Sequence, residues 1–172
     1  MLAPMVSQLY PLLFKPVYKS RIWGGDAFAR LFDRERHDGP CAESWEIADR
    51  PDGMSVVANG PWAGRALHEL VEDWGPRLLG KNARTPVFPL LVKLLDARHR
   101  LSVQVHPDET AAVPTGGEPK TEMWYVLAAE PGARLFAGFK AGTTPAQLKN
   151  ALASDTVEKL LSSVPAAKGT AL

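Results

Sequence analysis

Leu101-Ser102-Val103-Gln104-Val105-His106-Pro107 and Lys120-Thr121-Glu122-Met123-Trp124-Tyr125-Val126 are the two stretches on which the reading of this chain turns. Each reads as a β-strand, and side chains in a strand alternate faces with period two. Ser102, Gln104 and His106 therefore share one face, while Leu101, Val103 and Val105 share the other. Lys120 and Glu122 likewise share a face. An imidazole, a carboxylate and an amide oxygen on adjacent strands suit zinc, and also manganese or iron. A lysine and a serine beside them suit an anion such as phosphate. On spacing alone, a strand-end histidine before Pro107 and a solvated glutamate remain the plainer account. The coincidence of Ser102 and Lys120 on the face of the proposed ligands gives the anion reading its weight. If that face pointed into a barrel, it would line a cavity rather than a packed core.

The rest of the chain limits the setting for these strands. Its 172 residues suit one domain of moderate size. Lysine plus arginine number 20 against 19 acidic residues, a formal charge of +1, so no basic bias points to nucleic acid. Residues 1–13 are apolar but short, interrupted by Pro4 and Pro11, and lack a basic leader. No apolar run approaches the ~20 residues of a membrane span, and a cytoplasmic address is expected. Cys41 is the single cysteine, so neither an intrachain disulfide nor a thiolate-rich zinc site is available. Gly-x-Ser-x-Gly is absent from the sequence, and no glycine-rich phosphate loop precedes a helix.

Element by element, residues 14–25 read as extended and closed by Gly24-Gly25, with a helical turn over 27–32. Short strands are expected at 44–48 and 55–58 around the turn Arg50-Pro51-Asp52-Gly53. Leu67, Leu70, Val71, Trp74 and Leu78 predict a helix over 66–79, with Gly80 as its cap. Residues 88–97 read as a strand covered on both faces, with helix as the alternative. Strands at 101–106 and 120–128 follow, joined by a proline-rich loop, and then a strand at 134–139. Thr144-Pro145 opens a helix to about residue 153, and Asp155 caps another over 156–162. Residues 164–172 read as an extended segment, a glycine turn and the start of a further strand, which suggests a fragment.

Outside the two strands the signals are weaker. Lys93 is the single charge in an apolar decamer and reads as a side chain snorkelling to an edge. Glu43 and Glu46 bracket Trp45; with Trp23 and Trp62, these aromatics suit a core more than a sugar pocket. His37, His68 and His99 read as surface residues.

Five ordered motifs add a family resemblance. They are Arg21-Ile22-Trp23-Gly24-Gly25, Glu43-Ser44-Trp45-Glu46-Ile47, Phe88-Pro89-Leu90-Leu91-Val92-Lys93-Leu94-Leu95-Asp96-Ala97, Leu101 to Asp108, and Lys120 to Val126. From about residue 13 onward the chain resembles the short bacterial type I phosphomannose isomerases, zinc enzymes of the cupin superfamily. The resemblance implies a mainly β fold with added helices (α+β), a cupin-type jelly-roll barrel incomplete at its C-terminus. It implies one domain over 1–172, with residues 1–12 a flexible N-terminus. It further implies one Zn2+ per chain held by Gln104, His106 and Glu122, and a further histidine ligand beyond Leu172. Ser102 and Lys120 correspond to substrate-pocket residues, and Trp23 and Glu43 match pocket-side positions less closely. The implied partner is a small sugar phosphate, mannose 6-phosphate interconverting with fructose 6-phosphate through a cis-enediol; the resemblance leaves the general base unassigned. A Lys-Gly turn like Lys168-Gly169 leads in the family to the strand bearing the last histidine. Roughly half of a usual chain is absent by that comparison, so weak or no activity is expected. Two other classes stay open: a non-catalytic sugar-phosphate sensor on the same fold, and a different metal-dependent cupin such as an iron oxygenase.

Overall fold

The first half of the chain is built on antiparallel strands. The computed structural model describes residues 8–36, 38–81 and 86–172. The chain divides into two compact units, Met1–Leu101 and Ser102–Leu172. In the first, β1 (Phe14–Lys15) and β2 (Val17–Gly25) lead into α1 (Ala27–Phe32), the helical turn expected there. β3 (Cys41–Ile47) and β4 (Val56–Val57) follow. β3 is the central strand of a three-stranded sheet, with β2 on one side and β5 (Val92–Leu95) on the other; β1 pairs separately with β4.

The amphipathic stripe forecast over 66–79 is helical, but as two pieces. α2 (Leu67–Trp74) and α3 (Pro76–Leu79) are separated by Gly75, whose backbone at φ 43°, ψ −123° cannot continue a helix. Gly80 follows α3 as forecast, and its amide closes on the Pro76 carbonyl at 2.8 Å. α2 buries Leu67, Leu70 and Val71. Val57, Trp62 and Leu70 form the core, and Leu9, Tyr10, Leu12, Phe14, Trp74 and Leu78 pack against it. Of the N-terminal segment expected to be flexible, residues 1–7 lie outside the described residues, whereas Leu9, Tyr10 and Leu12 belong to this cluster. The Tyr10 hydroxyl donates to the Asn59 carbonyl and accepts from the Trp62 amide, each at 3.0 Å.

In the second unit, α4 (Glu109–Thr115) occupies the connector expected to be loop. Asp108 caps it by accepting from the Ala111 amide at 2.8 Å. Pro114 argued against a helix in the sequence, yet it lies inside α4, one residue before its end. β6 (Arg134–Phe139) and α5 (Pro145–Ala153) stand as forecast. Thr144 and Gln147 form the capping box that starts α5. The helix expected over 156–162 is instead a single 3-10 turn (Val157–Leu160) followed by β7 (Leu161–Pro165). β7 pairs antiparallel with β6 from Arg134↔Pro165 to Phe139↔Leu161, so cross-strand pairing overrides the local helix signal.

Residues 101–107 and 120–126, expected as strands, are not regular strands. Residues 101–106 carry no ladder, and 120–128 holds a single bridge, Tyr125↔Ala171. That bridge joins the stretch to the chain's last residues beyond the Lys168-Gly169 turn. A strand is defined by its neighbour's hydrogen bonds as much as by its own alternation. Among the described residues, the strands form three separate sheets rather than a closed barrel.

Candidate metal and substrate site

His106, Lys120 and Glu122 converge in the second unit. His106 Nε2 lies 2.9 Å from Glu122 Oε2, and Lys120 Nζ lies 2.8 Å from Glu122 Oε1 and 3.5 Å from His106 Nε2. The Lys120 amide also donates to the Pro107 carbonyl at 3.2 Å, which holds the two stretches in register here. Burial pushes the Glu122 carboxyl up, but the Lys120 hydrogen bond and charge, aided by His106, hold it below its ordinary value. Glu122 is thus an ionised oxygen donor beside an imidazole nitrogen.

Ser102 and Gln104 form a second pair. Gln104 Nε2 donates to Ser102 Oγ at 2.9 Å. This leaves the amide oxygen as the acceptor end of Gln104 and the Ser102 hydroxyl proton available to donate. His106, Lys120 and Thr121 line a cleft of about 370 Å3 together with Pro107, Asp108, Glu109 and Pro119. That is the small end of the ~300–1,000 Å3 typical of ligand pockets. Asp108, Glu109 and Thr121 were not singled out from sequence; the Asp108 helix cap was the signal that would have placed the first two at a loop-to-helix edge.

The donor set suits zinc in kind: one imidazole nitrogen, one ionised carboxylate and one amide oxygen. Among the described residues, no group of three or more His, Cys, Asp or Glu side chains that could hold a metal comes together.

Trp23 and Glu43 lie in the first unit. Trp23 is half-buried on β2, and its carbonyl accepts from the His99 amide at 3.0 Å. Glu43, on β3, accepts from Trp45 Nε1 at 2.7 Å and from Lys93 Nζ at 3.3 Å. Burial raises its carboxyl, but Trp45 and Lys93 outweigh it and the net shift is downward. Lys93 is therefore paired across the sheet, rather than snorkelling free as the sequence suggested. On the opposite face of β3, Arg34 grips Glu46 through two hydrogen bonds at 2.8 and 3.0 Å and donates to buried Ser44. His68, read as an unpartnered surface residue, meets the Asp49 carboxylate at 2.9 Å, and that side chain is 1% exposed. His37 lies outside the described residues. Cys41 is buried, and burial followed by the Asp96 charge pushes its thiol up, away from thiolate chemistry.

Fold, motif order and site geometry define a class, and comparison with known proteins agrees. The family model for the phosphomannose isomerase type I catalytic domain matches residues 12–125. The chain belongs to this family. Particular relatives follow. Mannose-6-phosphate isomerase of Streptococcus mutans is 38% identical over 160 residues, which cover 92% of this chain and 50% of that protein. Mannose-6-phosphate isomerase ManA of Bacillus subtilis is 41% identical over 161 residues, with the same coverage of 92% and 50%. The crystal structure of the mannose 6-phosphate isomerase from Bacillus subtilis superposes with a TM-score of 0.84 at 35% identity, covering 94% of this chain and 51% of that one. That match bears out the mainly β, helix-decorated fold expected from the motifs. The chain spans about half the length of the curated relatives it matches. Among the described residues, no helix is long and apolar enough to cross a membrane.

Proposed function

We propose that this chain is the N-terminal, metal-holding portion of a type I mannose-6-phosphate isomerase. The observation that carries the reading is the convergence of His106, Lys120 and Glu122 within a chain whose family model spans all three and whose relatives carry that name. Gln104, His106 and Glu122 would hold one zinc ion. When bound, zinc would supply Lewis acidity that polarises the sugar oxygens while a proton moves between C2 and C1.

The chain's own residues do the rest. Lys120 has three donor protons, one of them spent on Glu122, so it retains capacity for a substrate oxygen or phosphate. Ser102 offers its hydroxyl proton to the same kind of oxygen. Trp23 and Glu43 are assigned to the substrate side on resemblance alone. No described residue is assigned as the general base. The substrate is a small sugar phosphate, the setting is carbohydrate metabolism, and the address is the cytoplasm.

A chimera tests this directly. Residues 13–172 replace the matching half of Bacillus subtilis ManA, and turnover is followed by coupling to glucose 6-phosphate formation. The chimera is expected to interconvert mannose 6-phosphate and fructose 6-phosphate, and its Glu122→Gln form to lose at least a hundredfold in rate. The unfused chain is expected to turn over poorly or not at all. A folded chimera that binds metal yet leaves mannose 6-phosphate unchanged would sink the proposal.

A further inference from the structure

We propose that Trp45 is a positioning residue for a hydroxyl-bearing ligand: its indole N–H, together with Lys93, fixes one oxygen of the Glu43 carboxylate and leaves the other to accept a ligand hydroxyl. That the ligand is a sugar phosphate rests on the isomerase reading; the fixed carboxylate rests on geometry. Glu43 and Trp45 alternate on β3 and so share a face. The register sets Lys19 of β2 opposite Glu43, and Lys93 of β5 opposite Trp45. The indole N–H reaches Glu43 Oε2 at 2.7 Å, and Lys93 Nζ reaches the same oxygen at 3.3 Å. Neither bond uses Oε1. Among the described residues, no side-chain oxygen is both sealed from solvent and unpaired, so Oε1 is reachable from outside.

Glu46, on the other face of the same strand, is a carboxylate satisfied within the fold. Arg34 takes both of its oxygens, and Ser44 adds a further bond. The Glu43 side chain is the more enclosed of the two, 12% exposed against 26%, yet only one of its oxygens is held. Its cross-strand neighbour is turned away from it. Lys19 Nζ donates instead to the Asp52 carbonyl and lies 4.6 Å from the centre of the Trp45 ring. Gly53 lies so near the indole that a Cβ there would clash with the ring. Trp45 is only 7% exposed, so the turn and Lys19 together hold the indole still. A rigid indole makes a rigid carboxylate, and an acceptor ordered in advance lowers the entropic cost of taking a ligand.

The full chain, carrying carbon-13 at its glutamate carboxyls, is titrated with mannose 6-phosphate and followed by NMR, the Glu43 signal being assigned from Glu43→Gln. That signal is expected to move saturably. Trp45→Phe keeps a ring under the turn but removes the N–H, and should weaken the binding by about threefold or more. Burial raises the Glu43 carboxyl, and the Trp45 bond is the foremost influence lowering it. The same substitution should therefore raise the pH at which Glu43 titrates, whereas a ring that only filled space would leave it unchanged. If melting curves show that Trp45→Phe does not fold, Lys93→Met removes the other bond to Oε2 and is read in the same way. A Glu43 signal indifferent to the sugar phosphate, equal affinity in chain and variant, or an unchanged titration would each overturn the proposal. A saturable response without turnover in the ManA chimera would uphold the positioned carboxylate and count against the isomerase reading. Turnover in the chimera with an indifferent Glu43 would do the reverse.

Discussion

Arg34 meets Glu46 as a planar fork on a carboxylate, and Ser44 donates to the same Oε1 at 2.6 Å. Burial pushes the Glu46 carboxyl up, but the Arg34 hydrogen bonds, Ser44 and the Arg34 charge together bring it below its ordinary value. The same cluster raises the Arg34 guanidinium, led by its hydrogen bond to Glu46 and opposed by burial. A carboxyl depressed on folding stabilises fully above its unfolded value of about 4.3 and loses that contribution as pH falls through the folded value. Arg34→Met should therefore cost about 1–3 kcal/mol at neutral pH. It should also flatten the acid-side decline in melting temperature below about pH 4.3. Thermal melts of both proteins across pH 3–7 check this; parallel acid limbs would contradict it.

At the scale of elements, two motifs that mark the family also have a structural job. A Cβ on Gly24 would stand 2.6 Å from the Ala42 amide nitrogen and 2.6 Å from the Cys41 carbonyl carbon, both backbone atoms of the central strand. Asp96, at the end of the apolar decamer, takes the Ala27 amide on its Oδ2 and so fixes the start of α1 beside Gly25. Gly24→Ala is thus expected to destabilise by about 1–3 kcal/mol through overpacking, read as a lower denaturant midpoint at unchanged slope. Local chemistry made such elements legible. α5 is signalled by Thr144-Pro145, and the helical stripe of α2 and α3 by its spacing. The break at Gly75 carries a local signal that the apolar stripe outweighed: Pro76 has no amide donor and keeps the residue before it out of helical geometry. The start of β7 carries a helix signal in the sequence, but its pairing with β6 is non-local and decides its structure. The polar face of 101–107 and 120–126 was legible from parity, and the structure joins His106, Lys120 and Glu122 while pairing Gln104 with Ser102. Neither Glu43–Lys93 nor Asp49–His68 carries a sequence signal, since each is made by tertiary packing.

Across the whole molecule, the buried apolar side chains are unevenly shared. Phe28, Trp45, Val57, Trp62, Leu67, Leu70 and Val71 are buried in the first unit; among the described residues, the second buries only Ala112, Ala151 and Leu161. A fully buried large apolar side chain contributes about 1.5–3 kcal/mol, so the second unit has little of that support. Its amides should exchange faster, with 120–128 opening well before α2 and β3. Exchange mass spectrometry on the chain alone would show that order; uniform protection across both units would refute it.

Gln104, His106 and Glu122 are proposed to form the metal-holding face of a type I phosphomannose isomerase. Calorimetric titration of zinc into the metal-free chain and into its His106→Ala form tests it most directly. One zinc per chain, weakened at least tenfold by the substitution, is the predicted result. Zinc binding of equal strength in both proteins, or none in either, would contradict it.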